Sequence, residues 1–138
     1  MKLLSIFFFL LTTQIGFGQK KSAFKVKKHF SVVSMFKTTT SQSSLTGTGM
    51  CKKWKLNKNQ VIEIIQHSVL IDGTIWDLEF DVLPCIYKGV LIQNSKKFNF
   101  EINAGSWLYI KDGNRTMILG NYTREDQIYF LSFPERAK

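Results

Sequence analysis

Three carboxylates in this 138-residue chain, Asp77, Glu79 and Asp81, stand at every second position. On an extended strand alternate residues share a face at steps of about 6.7 Å. That spacing suits paired carboxylates doing acid–base work, or oxygen ligands around a hard cation. It is also what any exposed antiparallel face needs in order to be solvated, with Lys88 or Lys97 as counter-charges on neighbouring strands. Calcium sites bring loop glycines and more oxygen donors than this stretch offers. The solvated face is therefore the expectation, and a small hydrolase or carbohydrate-active protein working through these carboxylates is the alternative.

Other reactive residue types are sparse. Glu63 and His67 lie four apart, a helical spacing that can hold a metal, but His29 is the only other histidine and no HExxH or Cys/His cluster is present. Ser106 follows Asn103-Ala104-Gly105, which reads as a turn accommodating unusual backbone angles. No GxSxG marks it as a nucleophile, and no Gly-rich loop opens a helix. No catalytic residue, metal or cofactor is expected. Asn114-Arg115-Thr116 and Asn121-Tyr122-Thr123 match the N-glycosylation acceptor pattern, which matters only in a eukaryotic secreted chain.

Charge is distributed unevenly. Between Gln19 and Gln60 lie ten lysines and no acidic residue, whereas Val61 to Lys138 carries eight basic and ten acidic residues. Such a basic third attracts polyanions over a Debye length of about 8 Å. Lys20, Lys21, Lys25, Lys27, Lys28, Lys52, Lys53 and Lys55 are the candidate anion-binding residues; the plainer reading is that they keep an exported chain soluble. No helix-turn-helix or stacking motif accompanies them, so sequence-specific nucleic-acid binding is not expected. Trp54, Trp107, Tyr109 and Tyr122 are candidate interface anchors if exposed.

The first residues set the compartment. Lys2, the apolar run Leu3 to Leu11 and the small-x-small triplet Gly16-Phe17-Gly18 read as a secretory signal peptide over residues 1–18, too short to span a bilayer. In an oxidising compartment the two cysteines, Cys51 and Cys85, are most simply one disulfide. The expected organisation is then a basic Ser/Thr-rich arm over 19–50 and one domain over 51–138, exported to the periplasm or secreted, with no transmembrane segment in the mature chain.

The elements that must position these groups follow from periodicity. Phe30 to Phe36 reads as a strand, and Ser34 to Met50, rich in Ser and Thr, as a turn or connector. Asn57 as N-cap with Gln60, and Leu56 with Val61, form a capping box and a hydrophobic staple. The helix so opened turns Val61, Ile64 and Ile65 to one face. Val69 to Ile71 is either a short strand before an Asp72-Gly73 turn or the end of a longer helix. Trp76, Leu78, Phe80 and Val82 alternate with the carboxylates, predicting a strand over 75–82. Cys85–Ile92, Lys97–Asn103, Ser106–Lys111, Arg115–Leu119 and Gln127–Phe133 read as further strands. Their connections are too short for parallel crossovers. The expected class is α+β: one helix on a curved antiparallel meander of five to six strands.

With no catalytic constellation, the first functional expectation is a non-enzymatic exported binding protein of the bacterial envelope, of the periplasmic inhibitor or immunity type, meeting a protein or an anionic envelope component. A basic structural or adhesive envelope component is a further alternative.

Overall fold

In the computed structural model, which describes residues 23–40 and 47–136, a four-strand meander forms the centre. β3 (Cys85–Gln93), β4 (Lys96–Asn103), β5 (Trp107–Asp112) and β6 (Arg115–Gly120) pair antiparallel in chain order. Asn94 and Ser95 link β3 to β4 with φ of 50° and 62°, the two positive angles of a type I′ turn whose twist matches the strands. β1 (Ser31–Thr39) pairs with β3, and β2 (Val69–Leu70) pairs with β6, giving the order β1-β3-β4-β5-β6-β2. The fold is thus mixed α+β on a six-strand antiparallel sheet. Residues 1–18, expected as a signal peptide, and Lys20 and Lys21 lie outside the described residues.

Alternation along β3 and β4 divides the sheet into two faces. Tyr87, Leu91, Phe98, Phe100 and Ile102 point inward and are buried, together with Leu108, Ile110 and Leu119. The helix α2 (Lys58–His67) covers that inner face, with Val61, Ile64 and Ile65 wholly buried. Burying such side chains contributes roughly 1.5–3 kcal/mol each. Both halves of the capping box form: Gln60 N donates to Asn57 Oδ1 at 2.9 Å and Asn57 N to Gln60 Oε1 at 2.9 Å. Before it, α1 (Gly47–Lys53) carries Cys51, which is disulfide-bonded to Cys85 at the start of β3 with Cα atoms 5.3 Å apart. Lys37 Nζ donates to the carbonyls of Cys51 at 2.8 Å and Trp54 at 3.0 Å, placing a cation at the end of α1 where the helix dipole favours one.

Four expectations are corrected. Several short helices, not one, accompany the sheet. The expected strand Phe30 to Phe36 runs on through Lys37–Thr39, which were expected in a connector, and Met50 lies in α1. Residues 75–82 are not a strand: α3 (Gly73–Glu79) begins at Asp72, whose carboxylate accepts from Ile75 N at 2.8 Å. This N-cap, together with Ile71/Ile75 and Trp76/Phe80 at helical spacing, prevails over the alternation, and Leu78 and Val82 are left 77% and 64% exposed. Finally, Arg124–Tyr129 is a 3-10 helix where a strand was expected at Gln127. Asp126, 2% exposed, is drawn inward by Asn121 Nδ2 at 2.7 Å and His67 Nδ1 at 2.9 Å, and a strand cannot fold back on itself so tightly. No helix of the described residues is long and apolar enough to cross a membrane.

Candidate functional site

Among the described residues, the outer face of the sheet is covered on one half only. There α3 and the residues after it pack Trp76 on Trp107, with ring centroids 5.2 Å apart, and Phe80 on Tyr122 at 5.3 Å, forming a second cluster with Ile71. The strand registers place Phe36, Lys88, Glu101, Tyr109 and Ile118 in one row across β1, β3, β4, β5 and β6. The next row is Ser34, Val90, Asn99, Lys111 and Thr116.

At the β1 side these two rows bound a shallow cavity of about 340 Å³, lined by Ser34, Phe36, Lys88, Val90, Asn99 and Lys111 among others. Phe36 is 60% exposed. Lys88 Nζ and Lys111 Nζ converge on the same oxygen of Glu101, at 3.5 and 3.3 Å, so two cations share one carboxylate. Burial, followed by the nearby Glu101 charge, pushes the Tyr109 hydroxyl above its ordinary value of 10.0. An exposed ring beside excess positive charge suits recognition of an apolar group flanked by an anion.

The predicted carboxylates are arranged differently from the expected strand face. Glu79 ends α3 and accepts from the Tyr122 hydroxyl at 2.6 Å and from Arg136; Asp81 accepts from the Ser132 hydroxyl. The two line one cleft of about 480 Å³ with Leu78, Phe133, Pro134 and Arg136, and Asp77 is exposed on α3 outside it.

The lysines form two groups. Lys25, Lys27 and Lys28 are exposed near Gln93, whose side chain bonds Lys25 N at 2.8 Å and Lys25 O at 2.9 Å. Lys52, Lys53 and Lys55 are exposed beside Cys51, at the opposite end of β3. A nine-residue strand separates them by about 25 Å, well beyond the roughly 8 Å reach of screened charge. Lys27 Nζ donates to Gln66 O in the last turn of α2, a structural use.

Two of the four aromatic candidates are internal. Trp54, 4% exposed, donates from Nε1 to Tyr129 O at 2.8 Å, and Trp107, 5% exposed, to Asp81 O at 2.9 Å. Neither offers a surface to a partner, whereas Tyr109 and Tyr122 remain half-buried. Glu63 and His67 do not converge on a common point: Glu63 accepts from the Tyr129 hydroxyl at 2.9 Å and His67 meets Asp126, so both fasten the 3-10 helix to α2.

Asn103 is a clamp. Its amide bonds Leu83 N at 3.1 Å, Leu83 O at 2.8 Å and Gly105 N at 2.9 Å. Gly105 has no room for a side chain, since a Cβ there would lie 1.9 Å from Asp81 O, and Ser106 takes the positive φ of 67°. Asn121 is wholly buried with its amide bonded to Asp126, so of the two acceptor sequons only exposed Asn114 is accessible in the folded chain.

Sequence reasoning did not single out Phe36, Glu101 or Lys111. The only sign of their face was Lys88, a lone charge in an otherwise apolar strand. Comparison of the chain with protein-family models, curated proteins and solved structures finds no match.

Proposed function

We propose that the protein is a small exported binding protein of the bacterial envelope, without catalytic chemistry of its own, that docks a protein partner on the uncovered half of its outer sheet face, in the manner of a periplasmic inhibitor or immunity protein. One observation carries the reading: Phe36, 60% exposed, stands beside Lys88, Glu101 and Lys111 on a face that the chain covers elsewhere with α3. The Cys51–Cys85 crosslink supports an oxidising compartment.

The test is affinity capture from the cell envelope with the mature protein and with a Phe36→Ala/Lys88→Ala variant, washed at low and high salt. The expected result is a partner retained by the wild type and lost from the variant, whose thermal unfolding is unchanged. Loss of an exposed ring and a charge at a contact centre weakens binding by roughly tenfold or more. Equal capture by both proteins would refute the reading.

A second reading, a carboxylate hydrolase or carbohydrate-active protein, is supported by Glu79 and Asp81 sharing one cleft. Against it, both groups are already engaged, Glu79 by Tyr122 and Arg136 and Asp81 by Ser132. Turnover of a glycoside panel that disappears in Glu79→Gln would establish this second reading.

A further inference from the structure

Two hydrogen bonds fix which way the backbone of β1 points. Thr40 N donates to Pro84 O at 3.0 Å, and Ala104 N to Cys85 O at 3.1 Å. The first puts residue 40 in a hydrogen-bonded pair with β3; the second turns Cys85 toward β4 and therefore Ile86 toward β1. Hydrogen-bonded and non-bonded pairs alternate along an antiparallel ladder. In the register Phe36↔Lys88 and Thr38↔Ile86, the N–H and C=O groups of Ser34, Phe36 and Thr38 face β3, and those of Met35, Lys37 and Thr39 face outward. Among the described residues nothing bonds to these outward groups. At the other end a bulge between Val32 and Ser34 interrupts the ladder, and Lys58 Nζ occupies Val33 O at 3.0 Å. Among the described residues, three donors and three acceptors over Ser34–Thr39 are thus left open along an edge, whereas the opposite edge strand, β2, has two residues.

Natural sheets protect such edges with bulges and inward-pointing lysines, and β1 has both. The protection is selective by charge. Lys37 and Lys58 reach the helix side of β1, where their Nζ atoms meet carbonyls of α1 and of Val33, Lys52 and Lys53 are exposed on α1 beside them, and no carboxylate occurs between residues 19 and 60. A second copy pairing β1 against β1 would bring these cations together without a counter-charge. An acidic strand would neutralise them.

We propose that β1 accepts an extended acidic segment of a partner protein as a seventh strand. The segment bonds to the backbone of Met35, Lys37 and Thr39, turns alternate acidic side chains to the lysines on the helix side, and turns the intervening apolar ones toward Phe36 on the outer face. This mode gives affinity through main-chain bonds and specificity through alternate side chains. It deepens the docking reading above and rests on it.

The probe is a blocked synthetic peptide of four Glu-Val repeats, added to the oxidised mature protein. Controls are the Lys-Val counterpart and a Glu-Val peptide N-methylated at alternate residues. The expected result is slowed hydrogen exchange at the amides of Met35, Lys37 and Thr39. Affinity should fall about tenfold or more for the N-methylated peptide, as the loss of the three bonds donated to the carbonyls of Met35, Lys37 and Thr39 requires, and fall steeply with salt. Thr39→Pro removes an outward donor from an edge position that tolerates proline; it should weaken binding by a few-fold to about tenfold while leaving the melting temperature within a few degrees. Met35→Ala, which keeps the backbone donor, should still bind. Equal binding of the Lys-Val peptide, binding without protection of the three amides, or protection that grows with protein concentration alone would overturn the proposal. If the peptide fails while Phe36→Ala/Lys88→Ala still loses the envelope partner, strand addition falls and face docking stands.

Discussion

A single phenol ties the end of α3 to the segment after β6: Tyr122 donates to Glu79, which also takes Arg136 from the C-terminal segment. Burial, followed by the Glu79 hydrogen bond and charge, pushes the Tyr122 hydroxyl up to about 12 from 10.0. The folded chain therefore keeps a proton that the unfolded chain releases above pH 10. This contribution to stability is complete below pH 10 and is lost as pH rises toward 12. Denaturant midpoints measured from pH 9 to 12 should fall more steeply for the wild type than for Tyr122→Phe, the comparison removing the titration of lysines common to both. At this scale the sequence showed which residues bear charge but not what they touch. Glu79 and Asp81 were chosen for their spacing along a strand, and they meet in a cleft because α3 ends between them. Asn103 was visible as a turn residue, and its bond to Gly105 N is local to that turn, yet its two bonds to Leu83 depend on residues 81–83 passing within contact of the turn, which no local pattern encodes.

Elements were legible where a local signal had no competitor. Asn57, Gln60, Leu56 and Val61 state the start of α2 through side chains that satisfy its own end, so tertiary context adds little. The β3–β4 hairpin was equally plain, because apolar runs flank a turn pair that tolerates positive φ. Residues 72–82 carried two signals at once, an alternation over eight positions and a capped helix with apolar pairs four apart, and packing on Trp107 and Gly120 decided between them. The distinction can be measured. A strand would bury Leu78 and Phe80 alike. In the structure Leu78 is 77% exposed and Phe80 6%, so Leu78→Lys should change stability by no more than about 0.5 kcal/mol and Phe80→Ala should cost roughly 3–5 kcal/mol, read from urea unfolding. The segment 124–129 was misread for a different reason: its fold is dictated by Asp126 reaching His67 and Asn121, contacts distant in sequence or hidden in a turn.

Across the whole molecule the covalent ring closed by Cys51 and Cys85, 34 residues apart, contains α2, β2 and α3, while the rest of the meander lies outside it. Constraining the unfolded chain in this way contributes about 3–4 kcal/mol. A Cys51→Ala/Cys85→Ala protein should be destabilised by that amount in urea unfolding, and the wild type should behave the same in excess reductant. In the described part of the basic third, Lys25, Lys27 and Lys28 lie at one end of β3 and Lys52, Lys53 and Lys55 at the other, with Lys37 and Lys58 between them along β1.

The crosslink also bears on how the sheet is completed. Hairpins β3 to β6 join neighbours in sequence, but β1 must travel back across the entire helical excursion to reach β3. With the sulfurs joined, seating Thr39 beside Cys85 closes only the short stretch from Thr39 to Cys51, an entropic saving of about 1 kcal/mol. The thiol state of the surroundings would thus govern how firmly the last strand is zipped on: in a reducing milieu β1 peels away more readily, and β3 rather than β1 becomes the rim of the sheet.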